Sequence, residues 1–353
     1  MKMYSINDYD YHLPPQLIAQ EPLPQRDQAR MLVLERAAGV IRHCRFTQLP
    51  EFLSDRDVLV VNNTQVFPAR LRGCKASGGR VEVLLLQPPT PEGNGDVPRQ
   101  ARVPAWYRAS KPPKVGQMLN FGLELEGEIT AVGPAGEITL LLQSQGRDIR
   151  QVVAEAGAMP LPPYIRRLAG PEDTLRYQTI FAHRLGAIAA PTAGLHFTPA
   201  LLHQLEAGGV EVVSLTLHVG PGTFQPVREE DYSRHRLAPE YFLLSAESAA
   251  AINRARAGGK HIVAVGTTTV RVLESQYCQG QVFAGEGYCD LFIYPRYRFN
   301  VVDRLITNFH LPKSTLLLLV SAFAGREFVL RAYQEAIAAR YRFYSYGDCM
   351  LII

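Results

Sequence analysis

The chain has 353 residues, 47% of them apolar and 20% charged, with a formal net charge of +4. That balance excludes a disordered or fibrous protein and supplies apolar material for roughly two ordinary domains. The charge permits a nucleic-acid partner without arguing for one, because an electrostatic footprint depends on clustering.

The opening residues, MKMYSINDYDYH, set Asp8 and Asp10 where an export signal would have its apolar core. The longest apolar run, Thr315 to Ala324, is about half of what spans a bilayer. No membrane partner is therefore expected, and the expected location is the cytoplasm. Cys44, Cys74, Cys278, Cys289 and Cys349 form no CxxC pair, so reduced thiols are expected rather than disulfides or a zinc ribbon.

In chain order, MLVLE, VIRHCRF and DVLVVNN between Met31 and Asn63 read as strands separated by turn residues. From about Arg70 to Gln143 the pattern is all-β, with RVEVLLLQ, LELEGEITAV and GEITLLLQ. Between the first two lies the turn-rich linker Pro88–Pro98. A small β-barrel, residues 70–147, inserted into a discontinuous α/β domain of residues 1–69 and 148–353 is the expected organisation. Beyond Asp148 strands and helices alternate, as in a mixed sheet covered by helices. Thr198 and Gly208 bracket one helix, and Ser245 and Gly258 another. VEVVSLTLHVG, HIVAV, LFIYP and RLITNF read as strands, and GTTTVRVLESQ as a turn into a helix. Two further helices are expected, one ending near Phe323 and one over Arg326–Ala339.

Three loops and one polar set could carry chemistry. APTAGLHF presents Thr192, Gly194, His196 and Phe197 between an apolar run and a capped helix, where outward N–H groups bind ligands in α/β sheets. A helix N-terminus beside His196 would keep its imidazole neutral. LHVGPGTF offers His218, Gly220, Gly222, Thr223 and Phe224, and it lacks the third glycine of a Rossmann loop. VGTTTVRVLES sets Thr267, Thr268 and Arg271 at a helix start, an anion cradle without the lysine of a P-loop. His235, Glu240, His310 and Asp348 supply groups able to transfer protons. Each feature has an ordinary alternative: a tight turn at Gly194, N-capping by Thr267, satisfied structural hydrogen bonds for the rest. Scattered histidines without HExxH argue against a metal site.

Arg99, Arg102, Arg108, Lys111 and Lys114 cluster around Trp106 and Tyr107, and Arg166 and Arg167 follow PLPPYI. Basic groups interleaved with aromatics suit phosphates and unstacked bases, although a solvated surface has the same composition.

Taken together, AQEPLPQRDQARMLVL, VVNNTQVFPARLRG, APTAGLHFT, TLHVGPGTFQPV, VAVGTTTVRVLES, LITNFHLPKSTLLLLVSAFAG and RYRFYSYGDCMLI resemble the S-adenosylmethionine:tRNA ribosyltransferase-isomerase family over nearly the whole chain. The resemblance implies an α/β domain interrupted by a small β-barrel. It also implies an enzyme that moves and isomerises the ribosyl part of S-adenosylmethionine onto 7-aminomethyl-7-deazaguanine at the tRNA wobble position. Epoxyqueuosine would result, with adenine and methionine released. S-adenosylmethionine is then a co-substrate, no other cofactor is implied, the RNA partner is an anticodon loop, and a monomer is expected. A tRNA-binding module without chemistry is the rival reading.

A sulfonium acidifies the neighbouring C5′ hydrogens, so a positioned base can remove one. The resemblance makes His196, His218, His235, Glu240, His310 and Asp348 the catalytic candidates. Phe197, Phe224 and Tyr346 are candidates for stacking on a base, and Thr267, Thr268 and Arg271 for holding the methionine carboxylate. Asn62, Asn63 and Arg70, at the entry to the barrel, are candidates for RNA or substrate contacts, and Arg108, Lys111 and Lys114 for RNA contacts. One departure from the family pattern is Ala238 in HRLAPE, where many relatives carry a histidine two residues before the glutamate.

Overall fold

The structure, a computed structural model, describes residues 4–92, 97–220, 222, 227 and 229–353. The first strands are β1 (Arg30–Glu35), β2 (Val40–Arg45), β3 (Asp57–Asn62) and the short β4 (Thr64–Val66). Next come β5 (Arg70–Lys75), β6 (Arg80–Leu85), β7 (Thr90–Glu92), β8 (Gln100–Arg108), β9 (Met118–Asn120), β10 (Leu125–Val132) and β11 (Glu137–Ser144). Helices α1 (Ile149–Ala156) and α2 (Asp173–Arg176) lead to β12 (Arg184–Ala187), α3 (Pro199–Ala207), β13 (Glu211–Leu217) and β14 (Glu240–Leu244). Then follow α4 (Ala246–Ala257), β15 (His261–Val265), α5 (Thr267–Ser275) and the small hairpin β16 (Tyr277–Cys278) and β17 (Gln281–Val282). The last elements are β18 (Gly285–Cys289), β19 (Arg304–Asn308), α6 (Thr315–Ala324), α7 (Arg326–Ala338) and β20 (Cys349–Ile352).

Nine strands form one mixed sheet in the order β18-β14-β13-β3-β15-β19-β20-β1-β2. Its centre, β13-β3-β15-β19, is parallel throughout. Alternation along the strands splits the core between the two faces. Leu32, Val58, Val60, Ala264 and Leu305 pack with Ile252, Val270, Leu273 and Leu318 on one side. Met31, Leu59, Val61, Val263 and Ile306 pack with Phe46, Phe197, Leu201 and Leu205 on the other. Strands buried on both faces read as continuous apolar runs, which is why DVLVV and HIVAV stood out in the sequence.

The second sheet closes. Strands β5, β6, β8, β11, β10 and β9 pair in a ring, antiparallel at every step, and β7 adds to the outside of β8. The architecture is thus a layered α/β unit with a mixed sheet, interrupted by a closed six-stranded barrel. Closure removes the exposed edges that an open sheet of this size would carry. Ile149, Val152 and Val153 of α1 join the barrel core.

The helix limits follow their caps: Thr198, Ser245 and Ser314 each accept a hydrogen bond from a backbone N–H of the first turn. LFIYP is not a strand. After β18 the carbonyls of Cys289 and Leu291 accept from the Arg271 guanidinium, both at 3.0 Å, so the chain leaves the sheet there. The Pro88–Pro98 linker contains the edge strand β7, and residues 93–96 lie outside the described segments.

Candidate active site

Parallel strands deliver their C-terminal ends to one edge, and in open α/β sheets that edge is where ligands bind. Here it carries Asn62 of β3, Leu217 of β13, Val265 of β15 and Asn308 of β19. The turn from β15 into α5 requires Gly266, whose φ of 90° is costly for any residue with a Cβ. It allows the strand to pass directly into a helix that begins at Thr267.

Between these strand ends lies a cavity of about 60 Å³, lined by Thr192, Thr267, Thr268, Thr307, His310 and Tyr344, among others. His310 is buried and pairs through Nε2 with Thr307 Oγ1 at 2.8 Å. Burial lowers its pKa to about 3, so the imidazole is neutral at physiological pH. Its backbone is fixed independently of its ring, since its N–H donates to Tyr333 Oη at 2.9 Å and its carbonyl accepts from Tyr11. Opposite, the rings of Tyr164 and Tyr344 lie 4.7 Å apart, and Tyr164 Oη is 2.6 Å from Ser345 Oγ. Tyr344 has a φ of +72°, a left-handed conformation of the kind that clusters at functional sites.

A larger cavity of about 330 Å³ adjoins the first across Leu316, which lines both. Its walls include His235, Ala238, Glu240 and Arg271 from the α/β unit and Trp106 and Glu137 from the barrel. Glu240 and Arg271 form a buried ion pair, and Glu240 also accepts from the N–H of Gly220 at 2.7 Å. His235 Nδ1 meets Glu229 at 2.9 Å. Gly222 lines this cavity as well.

The remaining candidates are placed elsewhere. His196 lies beneath the edge, 3.3 Å from Asn308 Nδ2 and against Phe46. Burial lowers its pKa to about 4, so desolvation rather than a helix terminus keeps it neutral. His218 sits in a slot beside the cleft, stacked on Tyr241 and 2.7 Å from Thr64 Oγ1, and burial likewise brings it to about 4. Asp348 is buried under the edge, accepting from the N–H groups of Arg30 at 2.8 Å and Arg342 at 2.7 Å. Phe197 has no face for a ligand: it is fully buried, edge-on to Phe46 and Phe181. Tyr346 donates to Asp173 at 2.8 Å in the core. Gly194 is buried against Thr179.

Asn62 cannot contact RNA. It is 2% exposed, and its amide binds the backbone of Thr64 and Leu217 and the hydroxyl of Thr268, tying β3, β13 and α5 together. Asn63 accepts from Thr216 at 2.7 Å. Arg70 pairs with Glu82 at 2.6 Å, while Arg108, Lys111 and Lys114 are exposed on the barrel. Thr223 and Phe224 lie outside the described residues.

Sequence reasoning missed Thr307, Asn308, Tyr164, Tyr344 and Ser345. The NFHLP motif could have flagged Asn308, whereas Tyr164 reaches the cavity only through the tertiary fold.

Two predictions arise here. His196 and His310 have folded pKa values below the 6.5 of the free side chain. From about 6.5 down to about 4 for His196 and about 3 for His310 the unfolded chain binds the extra protons, so stability is complete above 6.5 and falls as pH drops through those windows. The slope is at most about 1.4 kcal/mol per pH unit for each histidine. Burial pushes Asp348 upward, which works the other way at the acid end. Urea midpoints at several pH values should show the fall, and His196→Gln should flatten it; a midpoint flat from neutral pH to the acid end would contradict this account.

Secondly, a Cβ at Gly186 would sit 2.3 Å from His218 Nε2. Gly186→Ala should therefore expel the imidazole from its stack on Tyr241 and cost about 1–3 kcal/mol, read by thermal melting. An unchanged melting temperature would mean that the slot is wider than described.

The queuosine biosynthesis protein family matches residues 6–352. An S-adenosylmethionine:tRNA ribosyltransferase-isomerase of Syntrophotalea carbinolica is 48% identical over 350 residues, covering 99% of both chains. A protein of the same name from an Anaeromyxobacter species is 50% identical over 347 residues, covering 98% of each. A crystal structure of the S-adenosylmethionine tRNA ribosyltransferase of Thermotoga maritima matches with a TM-score of 0.56 and 36% identity, over 98% of this chain and 100% of that one.

Proposed function

The chain belongs to the S-adenosylmethionine:tRNA ribosyltransferase-isomerase family of queuosine biosynthesis, and from there we propose that its two adjoining cavities bring together S-adenosylmethionine and a 7-aminomethyl-7-deazaguanine base at the tRNA wobble position. The reaction moves the ribosyl group onto the aminomethyl nitrogen, isomerises it to the epoxide, and releases adenine and methionine. The observation that carries this reading is the pairing itself: a hydroxyl-rich cavity at the start of α5 beside a larger one walled partly by the barrel.

The first N–H groups of α5 and the hydroxyls of Thr267 and Thr268 suit the methionine carboxylate, since a helix N-terminus favours an anion. Neutral His310 offers a hydrogen-bonding nitrogen without a positive charge to repel the sulfonium. Arg271 lines the larger cavity with its guanidinium already occupied by Glu240 and two carbonyls, so it shapes that wall rather than meeting a carboxylate. Trp106 brings the barrel into the wall of the larger cavity, and its indole suits an entering RNA base. Single-stranded loops are where bases can be extruded and read. The protein acts as a monomer in the cytoplasm in this reading.

The test is a reaction of purified protein with S-adenosylmethionine and tRNA bearing the aminomethyl base, followed by adenine release and mass analysis of digested nucleosides. A ribosyl-derived epoxide, with adenine freed only in the presence of that tRNA, is the expected result. Tight tRNA binding with no adenine release would return the non-catalytic binding module to the front.

A further inference from the structure

Sharing Trp106 with the larger cavity is a groove of about 420 Å³ to which the reading above gives no role. Its size lies within the range of small-ligand pockets, about 300–1,000 Å³. One wall is the outer face of the barrel, where Leu84 and Trp106 are direct cross-strand partners and Arg108 faces Glu82 in the next register. The other wall is the loop Pro160, Leu161, Pro162 and Pro163. The walls are fixed to each other. Arg70 and Ala158 exchange backbone hydrogen bonds of 3.1 and 2.9 Å, and Arg70 Nη2 donates to Leu161 O at 3.2 Å. The groove therefore exists before anything binds it.

Its charge selects the occupant. Glu82 is the carboxylate at the centre, and three arginines surround it: Arg70 at 2.6 Å, Arg72 at 3.2 Å and Arg108 across the strand pair. Among the residues that line the groove, Arg70 and Arg108 against Glu82 leave a surplus of about one positive charge beside a flat surface of indole, leucine and proline rings. A planar apolar slot with excess guanidinium suits a nucleotide, whose base stacks while its phosphate meets arginine. A purely apolar peptide would offer nothing to Arg108, whereas Arg70 and Arg72 already meet Glu82.

We propose that this groove holds an unpaired base adjacent in the RNA loop to the reacting one, stacked on Trp106 with its phosphate against Arg108. The proposal rests on the RNA substrate argued above and adds where the next nucleotide goes. Because Trp106 lines both the groove and the larger cavity, one indole separates two neighbouring bases and sets their spacing.

The experiment measures binding of an anticodon stem-loop carrying the aminomethyl base, intact or abasic at each position flanking it. Trp106→Ala should weaken binding of the intact probe about 5- to 150-fold, the range for one base–aromatic stack at a factor of ten per 1.4 kcal/mol. One abasic probe should lose the same factor with the unaltered protein and nothing more with Trp106→Ala. Trp106→Phe should retain most of the binding, which separates loss of stacking from misfolding. Arg108→Ala, at an exposed position, should reduce the salt slope by about one. Equal losses from every abasic probe in both proteins, or unchanged binding by Trp106→Ala, would overturn the groove assignment. Adenine release by the unaltered protein is scored in parallel: its absence would refute the reaction and still leave the binding cycle readable.

Discussion

Truncating Glu240 to alanine is expected to lower the unfolding free energy by about 3–5 kcal/mol, the largest stability effect of any single change at the cleft. Arg271 is 5% exposed, and its guanidinium donates to the carbonyls of Leu291 and Cys289 and to Glu240. The two carbonyls satisfy hydrogen bonds but not the charge. Removing the carboxylate leaves a cation buried between α5 and β14 with its counter-ion gone. The same truncation frees the Gly220 N–H and so loosens the loop that follows β13. Replacing both partners with apolar residues, as in Glu240→Leu with Arg271→Met, should recover most of the loss, because the desolvation cost disappears together with the attraction. Urea denaturation of the single and double variants decides this. If the single variant is as stable as the unaltered protein, the pair is not buried in the way described.

The legible parts of the sequence were those where local pattern and burial agree. β3 and β15 are sealed on both faces and so read as apolar runs, and α3 and α4 carry their caps in the chain. The barrel was legible as a region because glycine-separated alternation persists from β5 to β11, yet β8 was not. Pro104 and a scatter of arginines hide its alternating burial, and the segment reads as a basic cluster. LFIYP failed the other way. Its composition is that of a strand, but the carbonyl of its first residue, Leu291, is taken by a side chain from α5, a partner that no local pattern reveals. Among the candidate residues, the sequence brought together the strand-end loops that line the cleft: Thr192, Thr267, Thr268, Glu240 and His310. It could not separate them from residues such as Asn62, Phe197 and Asp348, which share the same motifs and spend their side chains inside the fold. Motif membership reports that a position is near the edge of the sheet; the direction of the side chain is settled by packing.

His310→Ala should reduce the rate of adenine release by about 10²–10³-fold, the usual cost of removing one preorganised hydrogen-bonding group, while changing the affinity for S-adenosylmethionine far less. Of the histidine candidates, His310 is the one that lines the small cavity, and the contact of its Nε2 with Thr307 fixes the ring there. Burial holds its pKa near 3, so it works as a neutral imidazole and its own ionisation should produce no limb in the rate profile between pH 5 and 8. The bonds that fix the loop, from its N–H to the Tyr333 hydroxyl and from the Tyr11 hydroxyl to its carbonyl, use only main-chain atoms of residue 310 and survive the substitution. A fall in kcat with the melting temperature little changed would therefore be chemical in origin. His310→Gln, which retains one hydrogen-bonding group, should recover part of the rate. If His310→Ala turned over at the unaltered rate, Thr307 and Asn308 would become the groups to test next, and His310 would join Asp348 as a brace beneath the edge.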